Sequence, residues 1–339
     1  MLKAVVTTLP MIVCVVMAVQ VALVLRQESR RALPLLLLFL LDASLLYVCH
    51  FVYFNAGREQ YPQFAIIYRI CNLTVWPLYL IYIFKLTQRS LRWIAIGAAV
   101  TALFVALGLM WEIVAKVLFA IEVLATVAIG HICITHYNRR LDTLYADNEG
   151  RNLTHLTILL WLMLATSVIS LLCNAVGRAY FIDHIVLLAG PSVMFSALLF
   201  SIAWAGLNIK FSIIDIENDP KEEQLQLAPA VGNDTIRNIA ESFDRIMTER
   251  RLYLQHNIKV DEVAQQLCTN RTYIYHALTD YHHTSFSDYV NSRRISYAIE
   301  LQAAHPELAV ADVAEQSGFA STSAYYRNLA KFGPRNAKP

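Results

Sequence analysis

The sequence predicts an all-α protein, a seven-helix transmembrane bundle followed by a cytoplasmic all-helical domain with two helix–turn–helix units. Two observations predict this fold class. Long uncharged stretches fill residues 1–209, whereas charged residues are frequent from Lys210 onward. An approximate repeat of short helical segments then occupies the last part of the chain. We therefore divide the chain into a transmembrane sensor domain (1–209), an acidic flexible linker (210–234) and a terminal helical domain (235–339).

The composition narrows the classes of function. Apolar residues make up 57% of the 339 residues and charged residues 16%, against about 25% charged residues in soluble domains. None of the six cysteines forms a CxxC pair, so the sequence predicts no metal site and no disulfide framework. The charged part carries no hydrolase, kinase or phosphate-binding motif, so we expect neither catalysis nor a cofactor.

Seven apolar stretches are long enough to cross a bilayer, since a hydrocarbon core of ~30 Å takes roughly 20 helical residues. The first is too long for a typical signal peptide and lacks a convincing cleavage site. The fourth and fifth are nearly continuous, so residues 108–112 must form a very tight turn. The predicted spans are about 4–25, 32–54, 63–84, 93–111, 113–134, 153–176 and 184–209.

The distribution of Lys and Arg predicts the orientation of these spans, because cytoplasmic loops carry an excess of both. The N-terminal tip and the even loops carry three, Lys3, Arg58 and Arg178. The odd loops carry nine: Arg26, Arg30, Arg31, Lys85, Arg89, Arg92, Arg139, Arg140 and Arg151. The N-terminus is therefore expected outside, and seven crossings leave the C-terminal domain in the cytoplasm.

Polar side chains within the predicted spans are candidates for a signal site. Ionisable groups are costly in lipid, so they are expected to face the bundle interior and to pair. Our candidate site consists of Asp42, Arg69, Lys116 and Glu122. The alternative interpretation is that these groups join helices or reach an interface. The full set of polar residues is Asp42, His50, Arg69, Asn72, Lys116, Glu122, His131 and Asn174.

The repeat near the end of the chain is the most informative feature. The first copy (260–278) reads VDEVAQQLCTNRTYIYHAL, and the second (310–329) reads VADVAEQSGFASTSAYYRNL, one residue longer at the turn. Each predicts a short helix, a turn at Cys268 or Gly318, and a second helix. Such a turn usually needs a positive φ, which glycine permits. Cys268 is therefore expected to cost stability or to adopt a different turn.

A helical stretch at residues 286–305 separates the two copies. At 1.5 Å per residue it is about 30 Å long, and one turn of B-DNA is about 34 Å. A stiff helix of that length would hold the two second helices in successive major grooves on one face of a duplex. An amphipathic helix with apolar positions between 236 and 247, capped by Asp234, precedes the repeat.

The segment from about 236 to 339 resembles the AraC/XylS family of DNA-binding domains. The matching stretches are RLYL (251–254), TNRTYIY (269–275), SFSDYVNSRR (285–294), VAEQSGF (313–319) and YYR (325–327). Together with seven membrane helices, the chain resembles membrane-bound regulators of this family in the inner (cell) membrane of bacteria. The resemblance implies binding of double-stranded promoter DNA, often as a homodimer, under the control of an unknown signal ligand.

The outward positions of the two second helices are the DNA-binding candidates. Arg271 is suited to guanine and Asn270 to adenine, whereas the hydroxyl groups of the second copy suit phosphates at a helix N-terminus. Arg293 and Arg294 are expected to be structural or to bind phosphate. The candidates are Asn270, Arg271, Thr272, Tyr275, His276, Ser321, Thr322, Ser323, Tyr326 and Arg327.

The charge of the terminal domain keeps a second function open. Residues 236–339 contain 12 Lys and Arg against 11 Asp and Glu, and this net charge of +1 is weak for a DNA-binding domain. The alternative is a membrane receptor whose cytoplasmic helices recruit a protein partner. Binding of duplex DNA that weakens steeply with salt would distinguish the two functions.

Overall fold

A computed structural model describes residues 2–28, 32–56, 62–148, 151–176, 180–181, 184–209 and 233–334. This described part contains helices and no strands, which confirms the predicted all-α class. Its first seven helices are long and apolar enough to cross a membrane. They are α1 (Leu2–Gln27), α2 (Leu33–Ala56), α3 (Pro62–Leu86), α4 (Leu91–Met110), α5 (Glu112–Leu144), α6 (Thr154–Val176) and α7 (Ala189–Asn208).

The chain divides into two compact units, of which the first combines residues 1–137 with 153–213 and the second combines residues 138–152 with 214–339. Residues 138–152 lie within the stretch that the sequence analysis assigned to the transmembrane domain. Most of the predicted linker, residues 210–232, lies outside the described residues.

In the first unit, α1 packs against α2 and α7, α3 packs against α2 and α4, and α6 packs against α7. One close approach between helices involves Gly206 on α7. A Cβ atom there would lie 2.5 Å from Leu36 and 2.7 Å from the Tyr82 hydroxyl, and both neighbours are buried. Glycine is therefore the residue that lets α7 reach the core of this unit.

The predicted tight turn between the fourth and fifth spans is reduced to a single residue. Helix α4 ends at Met110, Trp111 adopts an extended conformation (φ −137°, ψ 124°), and α5 begins at Glu112. Helix α5 then continues for 33 residues, well beyond the roughly 20 that a bilayer requires. Its last turns, from Asn138 onward, belong to the second unit.

The second unit contains the predicted repeat. The two copies correspond to α9–α10 and α12–α13, and α11 joins them. Helix α11 has 19 residues, so it is about 28 Å long. The helices are α8 (Asn233–Glu249), α9 (Val260–Gln266), α10 (Arg271–His276), α11 (Phe286–Ala304), α12 (Val310–Gln316) and α13 (Thr322–Phe332), with a π-helical turn at Ala277–Tyr281 after α10.

Helix α11 contributes to the cores of both helix–turn–helix units. Near its N-terminus, Phe286 and Tyr289 pack edge-on against Phe243 of α8. Further along, Ile295 and Ala298 are buried with residues of α12 and α13. One continuous helix therefore connects the two cores, which makes it suitable as a stiff spacer.

Candidate nucleic-acid interface

The turn of the first helix–turn–helix unit, between α9 and α10, is closed by two backbone hydrogen bonds. The amide of Cys268 donates to Gln265 O (3.1 Å), and the amide of Thr269 donates to Ala264 O (3.0 Å). This pair of bonds is the Schellman arrangement that commonly ends a helix. It places Cys268 in the left-handed region, with φ 48°.

The turn of the second helix–turn–helix unit, between α12 and α13, has the same arrangement. The amide of Gly318 donates to Glu315 O (2.9 Å), and the amide of Phe319 donates to Ala314 O (3.0 Å). Gly318 has φ 83°. The expectation that Cys268 adopts a different turn is therefore wrong. The other expectation, that a side chain at this positive φ lowers the stability of the domain, stays a prediction.

The second helix of each unit begins with a side-chain cap. Asn270 Oδ1 accepts from the amide of Tyr273 (3.2 Å), and Ser321 Oγ accepts from the amide of Ala324 (3.1 Å). Both bonds satisfy an amide that lacks a partner in the first helical turn. The oxygen that Asn270 would use to read adenine is thus already an acceptor within α10.

The other candidates on α10 form one stripe, because positions 271, 272, 275 and 276 lie on one side of a helix. All four side chains are half-buried. The Arg271 side chain is 16% exposed, with Nε 3.3 Å from Asp261 Oδ1 of α9. His276 Nδ1 lies 2.8 Å from Asp280 Oδ2. Arg271 and His276 are therefore each in contact with a neighbouring carboxylate.

The corresponding stripe on α13 is more open. Thr322, Ser323, Tyr326 and Arg327 are all exposed, and 44% of Tyr326 is accessible. Ala324 and Tyr325 face the opposite way and are buried. Helix α13 thus presents its polar candidates on one exposed face.

Asp261 is a residue that the sequence analysis missed. It lies ten positions before Arg271, on the other side of a turn, and no helical or strand periodicity relates two such positions. The only feature of Asp261 in the sequence that could have pointed to a contact with Arg271 is its opposite charge. A carboxylate next to a candidate base-reading guanidinium competes with DNA for that group.

The two arginines of α11 have different environments. Arg293 is exposed and donates to the Tyr289 hydroxyl (3.3 Å), and that hydroxyl in turn donates to Asp244. Burial and the Asp244 carboxylate raise the pKa of Tyr289, so its phenol stays protonated and can donate. Arg294 is completely buried, so it is structural and cannot bind phosphate.

Two of the four candidate signal residues are engaged by neighbouring helices. Asp42 Oδ2 accepts from Thr74 Oγ1 (2.9 Å). The Arg69 guanidinium donates to Gly108 O (3.3 Å). These contacts fit the interpretation that polar groups join helices of the bundle.

The other two candidates differ strongly in exposure. The Lys116 side chain is 60% exposed, with Nζ 3.2 Å from Glu112 Oε1 one turn earlier. Glu122 is only 5% exposed, and neither of its carboxylate oxygens has a hydrogen-bond partner among the described residues. Within the part of the chain that the structure describes, no hydrogen bond or ion pair joins two of the four candidates.

Two cavities lie within the first compact unit, among the long apolar helices. One, of about 180 Å³, is lined by α1, α2, α3, α5, α6 and α7, and His50 and Asn72 contribute to it. The other, of about 370 Å³, is lined by α3, α4 and α5, with Glu122 and Arg89 among its few polar groups. Glu122 is the only one of the four candidates that lines either of these two cavities.

Comparison with known proteins identifies the terminal domain. Residues 263–332 match a family model described as a helix-turn-helix domain. The match begins within α9 and ends with α13, so it includes both turns and the joining helix. Neither a search of curated proteins nor a search of solved structures found a significant match to the chain. The chain therefore carries a helix-turn-helix domain at residues 263–332, which indicates DNA-binding transcription regulation.

Proposed function

We propose that the chain is a membrane-tethered one-component transcription regulator that senses a signal through its seven-helix domain and binds promoter DNA through both helix–turn–helix units. The observation that carries this proposal is the equivalence of the two turns at Cys268 and Gly318. They are joined by a helix of about 28 Å, close to the ~34 Å pitch of B-DNA.

The tethering rests on charge and hydropathy. Seven helices are long and apolar enough to cross a bilayer, and Lys and Arg are more frequent in the odd loops than in the even ones. This excess favours an orientation with the N-terminus outside and the helix–turn–helix domain in the cytoplasm of a bacterium. DNA is accessible only from that side of the membrane.

The contacts with DNA divide between the two units. On α13, Arg327 and Tyr326 are exposed and available for bases or phosphates, and the hydroxyls of Thr322 and Ser323 lie at the helix N-terminus, where phosphates bind. On α10, Arg271 reaches guanine only by exchanging Asp261 for the base. We therefore assign α13 the larger share of initial binding and α10 a share of the sequence discrimination.

The proposals for the assembly and for the signal rest on separate observations. A homodimer is proposed from the resemblance to the AraC/XylS family. For the signal ligand, we narrow the candidate site from Asp42, Arg69, Lys116 and Glu122 to Glu122. Its carboxylate is buried beside the 370 Å³ cavity and has no hydrogen-bond partner among the residues that the structure describes. Such a carboxylate favours a ligand that carries a hydrogen-bond-donating group, and Arg89 adds a cation to the lining of the same cavity.

Binding of DNA by the full chain in lipid nanodiscs tests the proposal. The probe is a duplex that the wild-type chain selects from a random library. Its binding is measured at two salt concentrations. We expect Arg271→Ala and Arg327→Ala to weaken binding roughly tenfold each, as for the loss of a base or phosphate contact. Arg237→Ala, on α8, removes an exposed charge outside both second helices and serves as the control.

The same measurement separates the two functions. Affinity that falls steeply with salt indicates phosphate contacts. If the wild-type chain binds no duplex even at low salt, DNA binding is excluded and recruitment of a protein partner becomes the better proposal.

A further inference from the structure

Residues 145–148, directly after α5, are built into the compact unit that contains the helix–turn–helix domain. Residues 138–152 belong to the same compact unit as α8–α13, although they are flanked in sequence by two helices long enough to span a membrane. We call residues 145–148, directly after α5, the docking loop.

The backbone of the docking loop is hydrogen-bonded to the DNA-binding domain. The carbonyl of Ala146 accepts from Ser287 Oγ (3.0 Å) and from Asn291 Nδ2 (2.9 Å), both on α11. The amide of Ala146 donates to Ile258 O (3.3 Å). Ala146, Ser287 and Asn291 are all buried. These hydrogen bonds therefore replace water at both the amide and the carbonyl of Ala146.

Asp147 adds a buried charge to the same contact. Its Oδ1 accepts from Arg294 Nη1 (2.9 Å), and its Oδ2 accepts from the amide of Asn257 (3.1 Å). The Arg294 side chain is 0% exposed and the Asp147 side chain 6%. Burial lowers the pKa of Arg294, and the Asp147 carboxylate opposes that effect, so the pair stabilises the charged guanidinium.

Arg294 also connects the two helix–turn–helix units. It donates to Tyr253 O (2.6 Å) and to Gln255 O (2.8 Å) in the segment before α9. Its guanidinium carbon lies 5.6 Å from the centre of the Phe319 ring, next to the turn of the second unit at Gly318. The only carboxylate that pairs with this guanidinium in the described part of the chain comes from the docking loop.

We propose that the docking loop is a fixed joint of the DNA-binding domain, in which Asp147 completes the Arg294 centre and so holds the two helix–turn–helix units in the relation that two-site DNA binding requires. Helix α5 runs unbroken from Glu112 to Leu144 and leads directly into this loop. A shift of the last turns of α5, from Asn138 to Leu144, therefore reaches α11 through Ala146 and Asp147. The functional part of this inference rests on the proposed DNA binding.

Amide hydrogen exchange on the full chain in nanodiscs tests the joint itself. Asp147→Asn keeps the shape of the side chain and leaves the buried guanidinium without its counter-charge. We expect exchange at Asn257 and in the docking loop to accelerate by about tenfold or more. The control is Asp312→Asn, which removes an exposed carboxylate from α12. Unchanged exchange in Asp147→Asn overturns the proposal.

DNA binding tests what the joint does. The probes are the duplex selected by the wild-type chain and two duplexes that each keep one half-site. For Asp147→Asn we expect affinity for the two-site duplex to fall about tenfold, while affinity for each single half-site changes less than about twofold, because loosening the joint affects only simultaneous binding.

The outcomes of the two experiments are separable. Retained half-site binding shows that the variant domain is folded. Equal loss on all three duplexes, or no loss on any, contradicts the role of Asp147 in two-site binding. If the wild-type chain binds no DNA, the proposed function fails, whereas the exchange experiment still decides whether the loop is docked.

Discussion

Gly318 lies directly against Arg294, so that a Cβ atom at Gly318 would stand 3.0 Å from Arg294 Nε and 2.7 Å from Leu254 O. Its φ of 83° is also one that a side chain rarely adopts. Both the backbone conformation and the space around it therefore require glycine at the turn between α12 and α13.

Gly318→Ala is accordingly expected to lower the free energy of unfolding of the DNA-binding domain by about 1–3 kcal/mol. Pulse proteolysis of the full chain in a urea series measures this loss. Gly190→Ala is the matched control, since a Cβ at Gly190 would meet nothing within 4 Å. A loss no larger than that of the control would contradict the steric account.

The opposite substitution in the first turn is expected to stabilise the domain. Cys268 has φ 48° and is exposed, so it bears the conformational cost without a packing gain. Cys268→Gly removes that cost, about 1–2 kcal/mol for a left-handed L-residue, against an added unfolded-state entropy of up to about 1 kcal/mol. The same urea series should show a net gain of up to about 2 kcal/mol, and a loss would be inconsistent with the turn as described.

The ion pair between Arg271 and Asp261 predicts an unusual gain of function. In Asp261→Asn the guanidinium no longer has to leave a carboxylate to reach DNA, so affinity for the selected duplex is expected to rise severalfold. Glu262→Gln removes the same charge one position away and controls for the general field. Equal gains in the two variants would show that the pair itself has no effect on binding.

The cap of the joining helix predicts a further change in stability. Ser285 Oγ accepts from the amide of Asp288 (3.1 Å) at the start of α11. Ser285→Ala should therefore cost about 1 kcal/mol, and Ser285→Asp should retain most of the stability, because aspartate caps equally well. Proteolysis in urea compares the two variants, and an equal loss in both would argue against the capping role.

The sequence was sufficient where a single local pattern decides the structure. Uncharged runs of about 20 residues predict the long apolar helices, and the repeat around Cys268 and Gly318 predicts both helix–turn–helix units and the longer second turn. These features depend on neighbours in the chain. Their prediction therefore requires no knowledge of contacts between distant residues.

Contacts between distant residues were beyond such patterns. Asp147 and Arg294 are 147 positions apart, and nothing in the local sequence marks an acidic loop residue as the partner of a buried arginine. The same reason explains the candidate signal site. The sequence shows that Asp42 and Glu122 are polar residues in apolar stretches, but only the packing of the helices determines which of them meet.

The most direct test of regulation by this chain is chromatin precipitation with sequencing of the tagged, full-length protein in its native cells. We predict discrete sites that contain two half-sites about one helical turn apart, and loss of these sites in a double Arg271→Ala, Arg327→Ala variant that still fractionates with the membrane. Enrichment no greater than in untagged cells, with the chain present in the membrane fraction, would contradict the proposal that it regulates transcription.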